Sequence, residues 1–198
     1  MKNELALRNR QRTRAIDLRL LRQIARTLLK EVFKVDRSAL GIHLVAAREM
    51  AKLNQQFLQH ASSTDVLTFD YSPPVAALVR ARHFSSLGKR RDNEQANSSR
   101  ALTSAATLHG EIFISVDDAV AQAKQFRTTW QAEVVRYLIH GLLHLQGHDD
   151  LEPTARRAMK RVENRLLKRI ARQFPLHQLA RVFHRPVKSK IANRKSKI

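Results

Sequence analysis

The sequence predicts one domain that mixes α and β structure, with about four strands and about five helices. Five segments repeat apolar residues at helical spacing, and four short runs beside them are rich in β-branched and aromatic residues. Composition supports the same class. Of 198 residues, 43% are hydrophobic and 27% charged, the proportions of a globular chain rather than a disordered one. A chain of this length can bury a real core. The domain is expected over residues 1–183, with a long loop insertion at 72–108 and a basic, disordered tail at 184–198.

The elements follow in order. Glu4–Arg8 alternates polar and apolar residues and reads as a short first strand. From Ala15 the period changes. Ile16, Leu20, Ile24, Leu28 and Val32 recur every four residues with Arg19, Arg22, Arg26 and Lys30 between them, which predicts an amphipathic helix with a basic outer face. Gly41–Val45 reads as a strand, and Ala47–Phe57 as a helix burying Met50, Leu53 and Phe57. Asp65–Phe69 and Glu111–Ser115 are β-branched and aromatic strands. Ser115 is placed to cap the next helix, with Asp118 as its capping-box partner. Helical segments then cover about Val116–Phe126 and Thr129–Gln146, and Pro153 is placed to start the last helix.

In that last helix Ala155, Met159, Val162, Leu166 and Ile170 form the apolar stripe. The other face carries eight Lys or Arg between Arg156 and Arg172, with Glu163 as its only acid, and reads as a phosphate-facing surface. Ser72–Leu108 has no sustained period. It contains Pro73-Pro74 and the cluster Lys89-Arg90-Arg91, and is read as a loop with a helical turn at Ala76–His83. His184–Ile198 has six Lys or Arg and no acid, the composition of a tail that is disordered when free.

The formal net charge is +20. A field of that size attracts polyanions, of which nucleic acid is the commonest in a cell. There is no cysteine, so a disulfide framework and a thiolate metal site are both excluded. No apolar run approaches the roughly 20 residues needed to span a bilayer, and residues 1–14 hold no apolar signal region. No membrane association is expected, and the simplest location is cytoplasmic.

The chemistry concentrates in residues 140–150, HGLLHLQGHDD. His140 and His144 stand four apart in a helical stretch, so both imidazoles leave one face a turn apart, the spacing by which a helix offers two nitrogens to one zinc ion. Gly147 can end the helix and turn the chain back. A third ligand can then come from His148, Asp149 or Asp150, leaving the fourth position open to water. Such His pairs are common without a metal. Here the helix is apolar almost all round, and burying two unpaired imidazoles there would be costly. In the zinc peptidase motif H-E-x-x-H the residue after the first His is the general base. That position is Gly141, which argues against a peptidase.

This segment resembles the H-G-x-L-H-L-x-G-Y-D-H stretch of the YbeY family of rRNA-maturation endoribonucleases. STDVLTF (63–69) is similar to its P-T-D-V-L-S-F segment, and GEIFI (110–114) to its G-D-I-x-I strand. The three come in the family's order, Leu53-Asn54 and Trp130 also match, and the resemblance covers about Leu5 to Ile170. It implies an α+β fold, a small mixed sheet packed by helices, with the metal at one end of a central helix. It also implies a zinc-dependent single-strand endoribonuclease acting in small-subunit rRNA 3′-end maturation and ribosome quality control. The implied partners are single-stranded rRNA and the ribosomal small subunit.

Three departures stand out. The family's third ligand is usually His, ten residues after the first, and here that position is Asp150, whose anionic oxygen would make the metal a milder Lewis acid. His148, in the usual Tyr position, is the alternative third ligand. Members commonly carry an Arg shortly before the T-D-V-L strand, where this chain has Leu58. The loop at 72–108 and the basic tail exceed the family norm.

The site expected from these readings is one zinc ion per chain on His140, His144 and Asp150. Asp149, Glu111 and Asp65 are candidates for proton transfer or for support of the ligands, and basic helix faces and the tail hold the RNA backbone. The competing reading is a non-catalytic ribosome-assembly factor that binds rRNA and keeps a structural zinc.

Overall fold

Hydrophobic faces of period two and period 3.6 can be buried together only by laying helices on a sheet. The chain does so in a computed structural model that describes residues 4–59, 63–72 and 107–181, without the side chain of Leu58. The expected helical turn at Ala76–His83 and the tail at 184–198 lie outside the described residues, as does the expected loop except its ends.

Strand β1 (Glu4–Asn9) leads to helix α1 (Leu18–Thr27), which continues into a π-helical turn, Leu28–Val32. Strand β2 (Arg37–Val45), helix α2 (Ala47–Leu58) and strands β3 (Val66–Asp70) and β4 (Thr107–Ser115) follow. Helices α3 (Val116–Phe126), α4 (Trp130–Leu145) and α5 (Pro153–Gln173) come next, and then a 3-10 turn, Leu176–Leu179. The strands order as β1-β2-β4-β3, with β1, β2 and β4 parallel and β3 antiparallel to β4. The α+β architecture is the expected one.

Local signals act mostly as anticipated. Ser115 Oγ accepts from the Asp118 amide at 3.3 Å, Thr129 caps α4 through the Ala132 amide at 3.3 Å, and Pro153 opens α5. The capping box is not reciprocal, however. The Asp118 carboxylate accepts from the Ser63 hydroxyl at 2.6 Å, and the Ser115 amide donates to the Asp65 carbonyl at 2.9 Å. Helix α1 starts three residues after Ala15, because Asp17 caps it through the amides of Arg19 and Leu20. Ile16 instead bridges to Ala180. Strand β4 takes in Thr107 and Leu108, where the sequence predicts the end of the loop.

One face of the sheet, carrying Leu40, Ile42, Leu44, Leu108, Ile112 and Ile114, packs on α1 and α4 in a single core. Helix α4 is buried on nearly every side. The other face holds a smaller cluster of Val45, Met50, Leu67 and Phe113 beneath α2. Phe57, expected in the core, is 52% exposed: it meets only the edge of Phe69, because α2 covers just one end of this face.

Two glycines set the depth of α4. A Cβ on Gly141 would lie 2.7 Å from Ile112 Cγ2, and one on Gly110 would lie 3.0 Å from Leu145 Cδ2. Position 141 therefore faces the sheet, and no side chain there can act as a base. Among the described residues no helix is long and apolar enough to cross a membrane.

Candidate metal centre

Helix α4 delivers His140 and His144 on the side that faces α5. Gly147, at φ +83°, then turns the chain, with its amide bonded to the His144 carbonyl at 2.8 Å and the His148 amide to Leu143 at 3.0 Å. That reversal brings Asp150 back over the two imidazoles. His140 Nε2 and His144 Nε2 are 3.0 Å apart, and each lies 3.8 Å from an Asp150 oxygen. The donor atoms of His140, His144 and Asp150 all fall within 4.8 Å of one another.

Both Nδ1 atoms are engaged. His140 Nδ1 donates to Glu163 Oε2 at 3.1 Å, and His144 Nδ1 donates to the His148 carbonyl at 3.1 Å. With their protons on Nδ1, both rings present bare Nε2 lone pairs to the same point. Two lone pairs 3.0 Å apart repel unless a cation stands between them. Zinc takes imidazole and carboxylate at about 2.0–2.2 Å, which suits donors with these separations. Burial, and then the neighbouring His140, lower the His144 pKa and keep the ring neutral, the form a metal needs. The residues present fit a divalent metal.

Behind the imidazoles lies a layer that the sequence pattern did not reveal. The sequence pattern puts Glu163 on the exposed basic face of α5, yet only 3% of its surface reaches solvent. Besides His140 it accepts from Arg136 at 2.7 Å and Lys160 at 2.9 Å. Burial raises the Glu163 pKa, but the hydrogen bonds from His140, Arg136 and Lys160 outweigh it and hold the carboxyl at about 2. Arg136 reaches back to the buried Glu133 at 3.0 Å, and Thr128 donates to Glu133 at 2.6 Å. A signal was available. Glu163 follows Met159 by four residues, on the apolar stripe, and Arg136 precedes His140 by four on α4.

The other anticipated residues are dispersed. Asp149 is exposed beside the centre, and its carboxylate accepts from the Leu151 amide at 3.0 Å, shaping the turn. His148 gives its carbonyl to His144, while its ring is outside the three-residue group. Asp65 sits at the start of β3, its carboxylate on the Val66 amide at 3.0 Å. Glu111 lies across the sheet, since its neighbours Gly110 and Ile112 face α4. There it meets His43 Nε2 at 3.2 Å and the Tyr71 hydroxyl at 3.1 Å. The structure therefore brings His140, His144 and Asp150 together and leaves Glu111 and Asp65 outside the cluster.

The chain is also similar to known proteins. A family profile described as Endoribonuclease YbeY matches residues 6–171. Proteins named Endoribonuclease YbeY are similar to the chain, among them those from Salinibacter ruber at 30% identity over 59% of this chain and 60% of its own length, from Bacteroides fragilis at 31% over 60% and 63%, and from Myxococcus xanthus at 32% over 75% and 42%. The matched segment thus spans less than two thirds of each of these relatives. Among solved structures, the solution structure of TM1509 from Thermotoga maritima aligns over 88% of this chain and 94% of its own, with TM-score 0.53 and 20% identity, a likeness of fold.

Proposed function

The chain belongs to the YbeY endoribonuclease family, and on that premise we propose that it is a zinc-dependent single-strand endoribonuclease with one zinc ion on His140, His144 and Asp150. Its proposed task is maturation of the small-subunit rRNA 3′ end and ribosome quality control, in the cytoplasm. The observation that carries the reading is the pair of Nε2 atoms, both bare and both turned to Asp150, with each ring fixed from behind. The net charge of +20 supports a polyanionic substrate.

A zinc ion held by His140, His144 and Asp150 would supply Lewis acidity toward a water molecule and a phosphoryl oxygen. The protein does the rest. Glu163 fixes the orientation and tautomer of His140, and the His148 carbonyl does the same for His144. The carboxylate of Asp150 completes the set from the connector between α4 and α5. Asp149, exposed one residue away, is the group proposed to move protons at the centre. Glu111 and Asp65 take no step in this scheme, because neither carboxylate is directed at the three donors.

Labelled single-stranded rRNA incubated with zinc-loaded protein, beside a His144→Ala variant with its metal content measured, tests the reading. Cleavage by the wild type and none by a metal-free variant is the expected result. Equal cleavage by the two would sink the zinc-nuclease assignment. The second reading, a non-catalytic assembly factor, is favoured by Leu58 in the family's Arg position, and binding of rRNA without cleavage by zinc-loaded wild type would select it.

A further inference from the structure

Eight cations decorate α5, and the fold divides them. Arg156 donates to the carbonyls of Asp150 and Leu151. Lys160 is bonded to Glu163, and Arg169 lies 3.9 Å from Glu31 on the π-helical turn. The remaining five, Arg157, Arg161, Arg165, Lys168 and Arg172, are exposed and enter no ion pair among the described residues. Their spacings of four, four, three and four residues keep them on one ridge, about 22 Å long at 1.5 Å per residue. That ridge is about half a turn around the helix from Glu163, and so faces away from His140. At its C-terminal end Arg165, Lys168, Arg169, Arg172 and Gln173 line an open concavity of about 540 Å³.

We propose that this ridge is a docking surface for the phosphate backbone of RNA, separate from the metal centre and engaged by a part of the strand remote from the scissile bond. The choice of RNA rests on the nuclease reading; the choice of a polyanion does not. Like charges four residues apart repel along a helix, and a polyanion relieves that repulsion. With Glu163 buried, the face carries no acid. Its exposed residues between Arg157 and Arg172 are cationic apart from Asn164 and Ala171 and include no aromatic, a composition that reads phosphates and not bases. An acidic membrane is the rival polyanion. A helix that lies on a membrane inserts its apolar face, whereas the apolar face of α5, with Met159, Leu166 and Ile170, is buried in the core.

The test measures binding of a labelled small-subunit rRNA 3′ fragment with metal chelated, so that no strand is cut. An Arg161→Gln/Arg165→Gln/Arg172→Gln protein is compared with an Arg8→Gln/Arg12→Gln/Arg37→Gln protein, which loses the same charge from exposed positions outside the basic helix faces. Loss of three phosphate contacts lowers the dependence of log affinity on log salt by about 2, at about 0.7 per contact on a single strand. The ridge variant is expected to show that change, with about a tenfold weaker affinity at low salt and an unchanged or higher melting temperature, while the control shifts far less. Equal losses in the two variants would reduce the effect to net charge and overturn the proposal. So would wild-type RNA affinity in the ridge variant, including the case where it loses binding to phosphatidylserine vesicles instead. Because no cleavage is read, failure here leaves the nuclease assignment standing, and failure of that assignment leaves this result intact.

Discussion

At the scale of single residues, the candidate centre depends on a buried carboxylate that stands behind His140. Glu163 is a buried anion held by three donors. Glu163→Gln keeps the shape but removes the charge that His140, Arg136 and Lys160 share, leaving Arg136 paired with Glu133, which should destabilise the fold by about 2 kcal/mol. It should also weaken zinc binding about 10- to 100-fold, because His140 loses the acceptor that fixes its ring. Urea unfolding and a competition titration with a zinc chelator read the two effects. The pH dependence has a definite sign. The folded-state value of about 2 lies below the ordinary 4.5, so the stabilisation is complete above pH 4.5 and fades as pH falls from there toward 2. The stability gap between wild type and Glu163→Gln should therefore close across that window, and a gap that stayed constant would contradict the assignment. His140 and His144 were legible in the sequence because helical spacing alone aligns them; the glycine turn left His148, Asp149 and Asp150 open, and the family resemblance singled out Asp150. Glu163 was not legible, because what makes it part of the site is the packing of α5 on α4, and the same residue on an isolated helix is one more surface acid.

At the scale of elements, α4 is the piece on which the rest is built. Its close approach to the sheet depends on Gly141, and an alanine there meets Ile112 at 2.7 Å. A β-branched neighbour buried in the core yields little, so Gly141→Ala should cost about 1–3 kcal/mol from overpacking, offset in part by up to about 1 kcal/mol of helix propensity. Chemical denaturation should show a net loss, and a gain would mean that α4 can stand further off the sheet than the structure has it. Helix and strand positions were legible because periodicity and caps are local. Departures occur where a tertiary contact intervenes. Ile16 leaves the helical pattern to bridge Ala180, and Phe57 stays outside because α2 shields only one end of its sheet face.

At the scale of the whole molecule, strand order was beyond the reach of local pattern. Placing β4 between β2 and β3 joins segments separated by more than sixty residues along the chain, and no window of sequence encodes that choice. The family resemblance, carried by three short motifs in order, was legible, and the profile match over residues 6–171 bears it out. The assembled centre should act as a thermodynamic link between metal and fold. Zinc at about 100 times its dissociation constant would add about 2.7 kcal/mol of stability. A zinc-dependent rise in melting temperature is expected for the wild type, and none for His144→Ala. A similar rise in both proteins would place the bound ion elsewhere.

The His140–Glu163 contact also carries a consequence for the order of events during biogenesis. The acceptor that commits the first ligand to its binding tautomer arrives on a helix 23 residues later in the chain. A ribosome releasing this protein exposes both histidines before α5 has emerged to hold one of them. On the proposed zinc reading, metal capture would be a late step that waits on docking of the last helix, and zinc present throughout refolding should leave the rate of the main folding phase unchanged while slowing only the unfolding that follows.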